Sequence, residues 1–346
     1  MGNMRKIKNG KITKRRTSTL VLLFIVFELT FTAVTGPFML YYGPFKKVKT
    51  TVVGAAMTTL TLQWLATSFL SDAKISEIMD GQSVETIAQE SLSGANAGVK
   101  VENKNDNSIE RYEVSGSKYK GYVLIIKDPT RIKVGYSSKL LNQAGQPKEG
   151  ERTSEIAKTN NAIAAVNGGA FVDKAGDEEW AGTGAKPTGI IMTGGKEIFN
   201  DIKSENEKTQ VVAINKEGKL LVGFHTIKEM KQDGVIEAVS FGPALIVNGK
   251  KTIKGDGGQG IAPRTAIGQR QDGAIILLVI DGRQLGSLGA TLGEVQDVLY
   301  DYGAYSASNL DGGSSSTMFY DDDVINNPSD SYGERSIPSI VYVESR

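Results

Sequence analysis

The alternation of apolar and polar positions changes character three times along the chain. From Leu20 to Tyr42 the apolar residues are almost unbroken, with Glu28 the one charge among them. A run of that length crosses the hydrocarbon of a bilayer as a helix. Residues 48–70 are apolar as well, but threaded with Thr50, Thr51, Thr58, Thr59, Thr61, Gln63 and Thr67. That mixture predicts an amphipathic or buried helix close to the membrane, with a second span as the alternative. Residues 71–80 continue as a short helix. From Gly81 to Ser108 small and polar residues dominate, which predicts a mobile linker. Beyond it, short apolar runs alternate with turn residues to the C-terminus.

Those short runs read as strands. They cover residues 121–127, 131–136, 162–166, 186–192, 197–200, 211–214, 220–224, 241–247, 250–253, 264–269, 274–281 and 339–344. Asn248-Gly249 is the strongest hairpin turn among the links, and most of the others are hairpin length. Strands outnumber helices, so the expected class is α+β on mixed, largely antiparallel sheet.

The stretch 291–319, TLGEVQDVLYDYGAYSASNLDGGSSSTMF, carries the densest signals. Leu292, Val295, Val298, Leu299 and Tyr302 recur at helical spacing. Thr291 with Glu294 forms a capping box, and Gly303 is the stop. Residues 304–310 predict a buried strand, and the turn after it sets Asn309, Asp311, Gly312, Gly313, Ser314 and Ser315 at a strand end. The order helix, apolar strand, glycine turn also occurs at 153–169, ending in Asn167-Gly168-Gly169. A pseudo-twofold domain whose two glycine turns meet at one site is therefore expected.

Composition narrows the chemistry. A formal charge of +1 gives no reason to expect nucleic acid. The basic residues crowd the N-terminus, at Arg5, Lys6, Lys8, Lys11, Lys14, Arg15 and Arg16. Placed before an apolar run they predict a cytoplasmic N-terminus and an uncleaved anchor, with a cleaved signal peptide as the rival. The expected organisation is a basic tail at 1–18, an anchor at 19–42, a membrane-proximal helical segment at 43–80, a linker at 81–110 and an extracytoplasmic domain at 111–346. There is no cysteine and one histidine, His225, so a zinc site of His/Cys type is excluded. Catalysis must rest on carboxylates, arginine, lysine, tyrosine, hydroxyls and backbone, and no cofactor is expected. Asp321-Asp322-Asp323 reads as an acidic surface turn, with calcium binding as the other reading.

Several motifs in order resemble one family. Asn167-Gly-Gly-Ala-Phe171, Ala262-Pro-Arg-Thr-Ala-Ile-Gly268, Asp281-Gly-Arg283, Ser287 to Thr291 with Glu294, Asn309 to Met318, Asn327-Pro328 and Glu334-Arg335 are similar to the phosphodiester glycosidases. The likeness runs from about Tyr112 to the C-terminus. It departs at Ala170, where the family usually has an aromatic, and at Ser314, where it usually has glycine. The resemblance implies hydrolysis of a sugar-1-phosphodiester, with a cell-surface glycan or sugar phosphate as partner. Cleavage at the anomeric carbon releases a phosphate monoester, a good leaving group, so the site needs a cationic clamp and carboxylates more than a strong acid. On this reading Asp311, Asp281 and Glu294 are the catalytic candidates. Arg264 and Arg335 are the phosphate candidates, Arg283 a weaker one. Asn167, Gly168, Gly169, Asn309, Gly312, Gly313, Ser314 and Ser315 are the remaining substrate-binding candidates.

Overall fold

The sidedness of successive strand residues dictates the architecture, because neighbours in a strand face opposite sides of a sheet. Leu277 and Val279 join one buried cluster, while Ile276 and Leu278 join another. A strand sorted in this way is covered on both faces, as the central strand Ile275–Ile280 is along its whole length. The computed structural model describes residues 10–57, 63–80, 83–89, 91–92, 98–141, 148–172, 174–175, 178–179, 183–184, 186–330 and 332–346. It divides into one unit ending at Met79 and a second beginning at Asp80.

In the first unit the helix Gly10–Tyr42 is continuous through Pro37. Within Thr17–Tyr42 an 18-residue stretch has mean hydropathy 2.0, and none of that stretch is buried. Among the described residues this is the one helix long and apolar enough to cross a membrane. The helix Lys46–Met57 has 12 residues, about 18 Å at the α-helical rise and short of a roughly 30 Å hydrocarbon core. With Trp64–Thr67 and Asp72–Asp80 it buries Val53, Ala56, Ala66, Leu70 and Ile75 against Tyr41. Of the predicted stretch 48–70, residues 58–62 lie outside the described residues.

The second unit is α+β, and its three large sheets are antiparallel throughout. Sheet I has seven strands in the order Ile109–Ser115, Lys120–Ile126, Ile275–Ile280, Arg264–Arg270, Ala304–Leu310, Ala244–Val247, Lys250–Lys251. Sheet II runs Lys196–Asn200, Ile190–Thr193, Val235–Val239, Thr209–Asn215, Leu220–His225. Sheet III runs Asp323–Val324, Met318–Tyr320, Ala162–Asn167, Ser339–Glu344, Ile132–Tyr136. One face of each contributes to a common core holding Leu277, Val212 and Val166.

The opposite face of each sheet is closed by a helix. Leu292–Asp301 covers sheet I through Leu292, Val295 and Leu299. Ile227–Gln232 covers sheet II through Ile227 and Met230. Thr153–Thr159 covers sheet III through Ile156 and Ala157.

The segment expected to be a mobile linker is instead bound to this unit. Val84 bridges Ile253, and Glu85 N–H donates to the Thr252 carbonyl at 2.8 Å. The Gln89 amide accepts from Val222 N–H at 2.6 Å and donates to Leu220 O at 2.9 Å. Leu92 is buried against sheet II. The physical reason is that a composition rich in polar residues still supplies main-chain and side-chain amide groups, and these cover sheet edges that would otherwise stay open. Of the predicted linker, residues 81–82, 90 and 93–97 lie outside the described residues.

Candidate active site

Three neighbouring strands of sheet I end on one edge and bring the predicted groups together. Arg264 pairs with Ile280 on one side, and Thr265 pairs with Leu310 on the other. Asp281 and Asp311 therefore leave the sheet at the same edge, two strands apart, about 10 Å between backbones at the usual interstrand spacing. Next to them arrives the turn after Ala162–Asn167, from sheet III. Asp311 N–H donates to the Gly168 carbonyl at 3.2 Å, and the Asn167 amide donates to the Asp311 carbonyl. The two glycine turns meet, as their shared pattern anticipates, although their strands belong to different sheets.

Asp311 occupies the seam. Its carboxyl is half-buried. Burial pushes its pKa up to about 6, opposed by the Ser315 hydroxyl, the Arg335 guanidinium and the Gly312 N–H. A carboxylate that desolvation holds in this range, next to a cation, is a functional candidate on physical grounds. Arg335 donates to Ser314 Oγ at 3.1 Å and lies 5.1 Å over the Phe171 ring. Its neighbour Glu334 accepts from Ser154 N–H at 2.9 Å and from the Ser154 hydroxyl, which ties the arginine loop to the first turn of the helix Thr153–Thr159. Arg283 comes from the turn after Asp281. It adopts φ 58°, in the left-handed region that costs a non-glycine residue about 1 kcal/mol. Its guanidinium lies against Gly313, where an added Cβ would sit 3.3 Å from Nη2. Asp311, Arg335, Ser314, Ser315, Phe171 and Arg283 thus share one locale.

Other predicted site residues prove to be the frame around it. Asn167 is fully buried. Its side-chain oxygen accepts from Thr265 Oγ1 at 2.7 Å and from Thr317 N–H at 3.1 Å. With its amide given to Asp311, it is a joint between sheets and has no donor or acceptor turned outward. Gly168 and Gly169 are glycines because other strands lie against them: a Cβ would stand 2.8 Å from Ser339 O at the first and 2.9 Å from Val239 Cβ at the second. A Cβ on Gly312 would stand 3.0 Å from Pro263 O. Close backbone approach is thus made to protein, where the sequence reading had it made to ligand. Asn309 is buried and donates to Gly242 O at 3.3 Å.

Arg264 is a correction to the phosphate-clamp expectation. It is 6% exposed. Its guanidinium donates to Ala290 O at 3.1 Å, Gln259 Oε1 at 3.3 Å, Gln259 O at 3.2 Å and Gly260 O at 2.9 Å. Desolvation and the Arg283 charge bring its pKa down to about 10. With four bonds made and its planar fork turned to carbonyls, it fastens the segment before its strand.

Glu294 is a second correction. It accepts from Thr291 N–H at 2.8 Å, its own N–H donates to Thr291 Oγ1 at 3.2 Å, and Lys118 Nζ lies 3.2 Å away. The capping box is formed and the acid is used in it. Asp281 is 9% exposed, and burial raises its pKa. Its Oδ1 accepts from Asn326 Nδ2 and Asn327 N–H, both at 3.0 Å, so one oxygen is committed to the loop that follows the acidic turn. Asn326 was not among the predicted residues, and no local pattern marks it.

His225 is buried, with Nε2 3.1 Å from Val222 O, and desolvation lowers its pKa. Asp321 and Asp322 have φ 53° and 66° and form the turn between Met318–Tyr320 and Asp323–Val324.

A family model described as phosphodiester glycosidase matches residues 160–344. This chain belongs to the phosphodiester glycosidase family. The match spans both glycine turns, Asp281, Asp311 and Arg335. The bovine protein N-acetylglucosamine-1-phosphodiester alpha-N-acetylglucosaminidase is 28% identical over 169 residues, 48% of this chain and 29% of that protein. The SPbeta prophage-derived uncharacterized protein YomE of Bacillus subtilis is 43% identical over 68 residues, 20% of this chain and 11% of that protein. The chain thus spans less than a third of the length of these curated relatives. In fold, it is similar to the catalytic domain of the zebrafish enzyme of the same name as the bovine one, solved as a form auto-inhibited by its pro-peptide. The TM-score is 0.56 at 22% identity, covering 71% of this chain and 87% of that one.

Proposed function

We propose that residues 111–346 hydrolyse a sugar-1-phosphodiester to free sugar and a phosphomonoester. The observation that carries this reading is the meeting of Asp311 with Arg335 and Ser314 where the two glycine turns join. In the proposed reaction the bond between the anomeric carbon and the phosphate oxygen breaks, and the phosphate leaves with the electron pair. Water supplies the new oxygen on the anomeric carbon, keeps one proton as the sugar hydroxyl and gives the other to the departing phosphate or to solvent. Asp311, ionised above about pH 6, faces the cationic centre that develops there. Arg335 and Ser314 hold the phosphate oxygens, and the planar guanidinium suits them. Arg283 adds positive charge on the open side. Asp281 is the second carboxyl, at the far edge of the same strand ends.

The apolar helix near the N-terminus supports an anchor in the cell membrane, with the basic tail inside and residues 111–346 outside. A glycan of the cell surface or an exopolysaccharide is then the substrate within reach. The test is release of free sugar from a defined sugar-1-phosphodiester by the purified protein, compared with Asp311→Asn. Turnover abolished in the variant supports the assignment. Sugar binding without turnover in the wild type would replace it with a non-catalytic glycan-binding role.

A further inference from the structure

Two cavities near the glycine turns share part of their lining. The first, about 400 Å³, is lined by Ala170, Lys203, Glu207, Gln210 and Phe241 among others. The second, about 330 Å³, is lined by Ile87, Gln210, Phe224, Pro243 and Gln259. Gln210 and Gly242 belong to both. Each volume is within the range of small-ligand sites.

The cavities flank the strand ends that carry the acid. Ala170 is two residues beyond Gly168, whose carbonyl holds Asp311, and its N–H donates to Ser240 O at 2.8 Å. Gly242 accepts from the Asn309 amide, two residues before Asp311. Gln259, at the far end, grips Arg264 behind Gly312.

The lining has a consistent chemistry. One aromatic ring stands in each cavity: Phe241, partly buried, and Phe224, 43% exposed on its strand. Gln210 pairs across the strand with Phe224, so amide and ring lie side by side at the junction. Around the rings are hydroxyl, amide and charged groups: Thr188, Asp201, Lys203 and Glu207 in the first cavity and Glu85 and Gln259 in the second. An aromatic face with polar groups at its margin fits a sugar ring, which has an apolar C–H face and an equatorial belt of hydroxyls. Two such places in sequence fit successive sugars of one chain. The outer wall of the second cavity is the segment Val84 to Ile87, which the packing of residues 83–89 holds in place.

We infer that the two cavities form one groove that binds an oligosaccharide of several units, with Phe241 and Phe224 as stacking platforms, and that the substrate is a polymeric glycan. This rests on the reading of the site as one for sugars, but its test does not need turnover.

The full-length protein in detergent micelles would be applied to an array of bacterial and animal oligosaccharides of one to eight units. Affinity is expected to rise at least tenfold between one and four units in at least one series. Phe241→Ala and Phe224→Ala are each expected to remove most of that rise. Circular dichroism melts identify any variant that fails to fold, and Gln210→Ala serves in its place. No dependence on chain length in any series, or a dependence that all folded variants keep, overturns the groove. Length-dependent binding without hydrolysis of any phosphodiester would leave the groove standing and remove the proposed reaction.

Discussion

Replacing Asp311 with asparagine should stabilise the protein at neutral pH while abolishing turnover. The carboxyl moves from an ordinary value of 3.8 to about 6 because burial outweighs the help from Ser315, Arg335 and Gly312. That displacement corresponds to about 3 kcal/mol of folding free energy at neutral pH. The sign follows from which state holds the proton more tightly. The folded-state value lies above the unfolded one, so the acid's contribution is most favourable below about pH 4 and is lost as pH rises through about 6. Asparagine has nearly the same shape and no charge to desolvate. Its advantage should be absent near pH 4 and complete above pH 6. For a unit of this size about 3 kcal/mol raises the midpoint by roughly 6–12 °C. The amide's N–H₂ meets the donors that served the carboxylate, so the upper end is a ceiling. Thermal melts and urea titrations of both proteins from pH 4 to 8 read the effect directly. An asparagine variant no more stable than wild type at pH 7.5, or a gain of equal size at pH 4, would refute the assignment of Asp311 as a desolvated acid.

The remaining predictions concern its neighbours. In the wild type kcat/KM should climb about tenfold per pH unit below about pH 6 and level off above it, as Asp311 ionises; a profile flat from pH 4.5 to 7 would count against Asp311. Arg335→Lys keeps the charge but gives up the planar fork and the contact over Phe171, so kcat/KM should fall on the order of 10²-fold with the fold intact by circular dichroism. Arg264→Met leaves the Ala290, Gln259 and Gly260 carbonyls without their donor and should cost about 3 kcal/mol in urea unfolding; activity per folded molecule should persist, and a selective loss of activity would return this arginine to the phosphate. Glu294→Ala should lose about 1 kcal/mol from the helix cap and leave kcat unchanged; a hundredfold fall in kcat would restore it as an acid or base.

Much of the fold was legible because the signals were local. The capping box at Thr291 and Glu294 formed as spaced, and the strand Ala304–Leu310 followed the glycine stop. The hairpin turning at Asn248-Gly249 also formed as read, and the strands at 211–214 and 220–224 pair through a link of hairpin length. The helix Ile227–Gln232 and the strand Val235–Val239 went unread. Six residues show less than two helical turns of pattern, and the strand's burial depends on sheets assembled from elsewhere in the chain. The site was legible in part for the same reason. Sequence spacing marks which residues share a turn, so Asp311 and Ser314 were accessible to it. Whether a polar side chain faces a ligand or another strand depends on what packs behind it. Nothing near Arg264 in sequence announces that Ala290 O will face its guanidinium, and nothing near Asn167 announces Thr265 and Thr317.

The corrections share one cause, and it bears on how the site works. Asp311 carries a free-energy cost at neutral pH, and a carboxyl in that position will move toward water unless its backbone is fixed. Gly168 O holds its N–H and the Asn167 amide holds its carbonyl. Asn167 is itself fixed by Thr265 from sheet I and Thr317 from the loop beyond Ser315. The residues that looked like sugar ligands thus restrain the peptide units on both sides of Asp311. Glycine at 168 and 169 allows sheets II and III to close on that joint without a Cβ between them. Substitution of Asn167 should then lower activity by letting Asp311 relax, with the pH midpoint of kcat/KM sliding below 6 toward the ordinary carboxylate value. A direct sugar ligand would instead raise KM and leave that midpoint where it was.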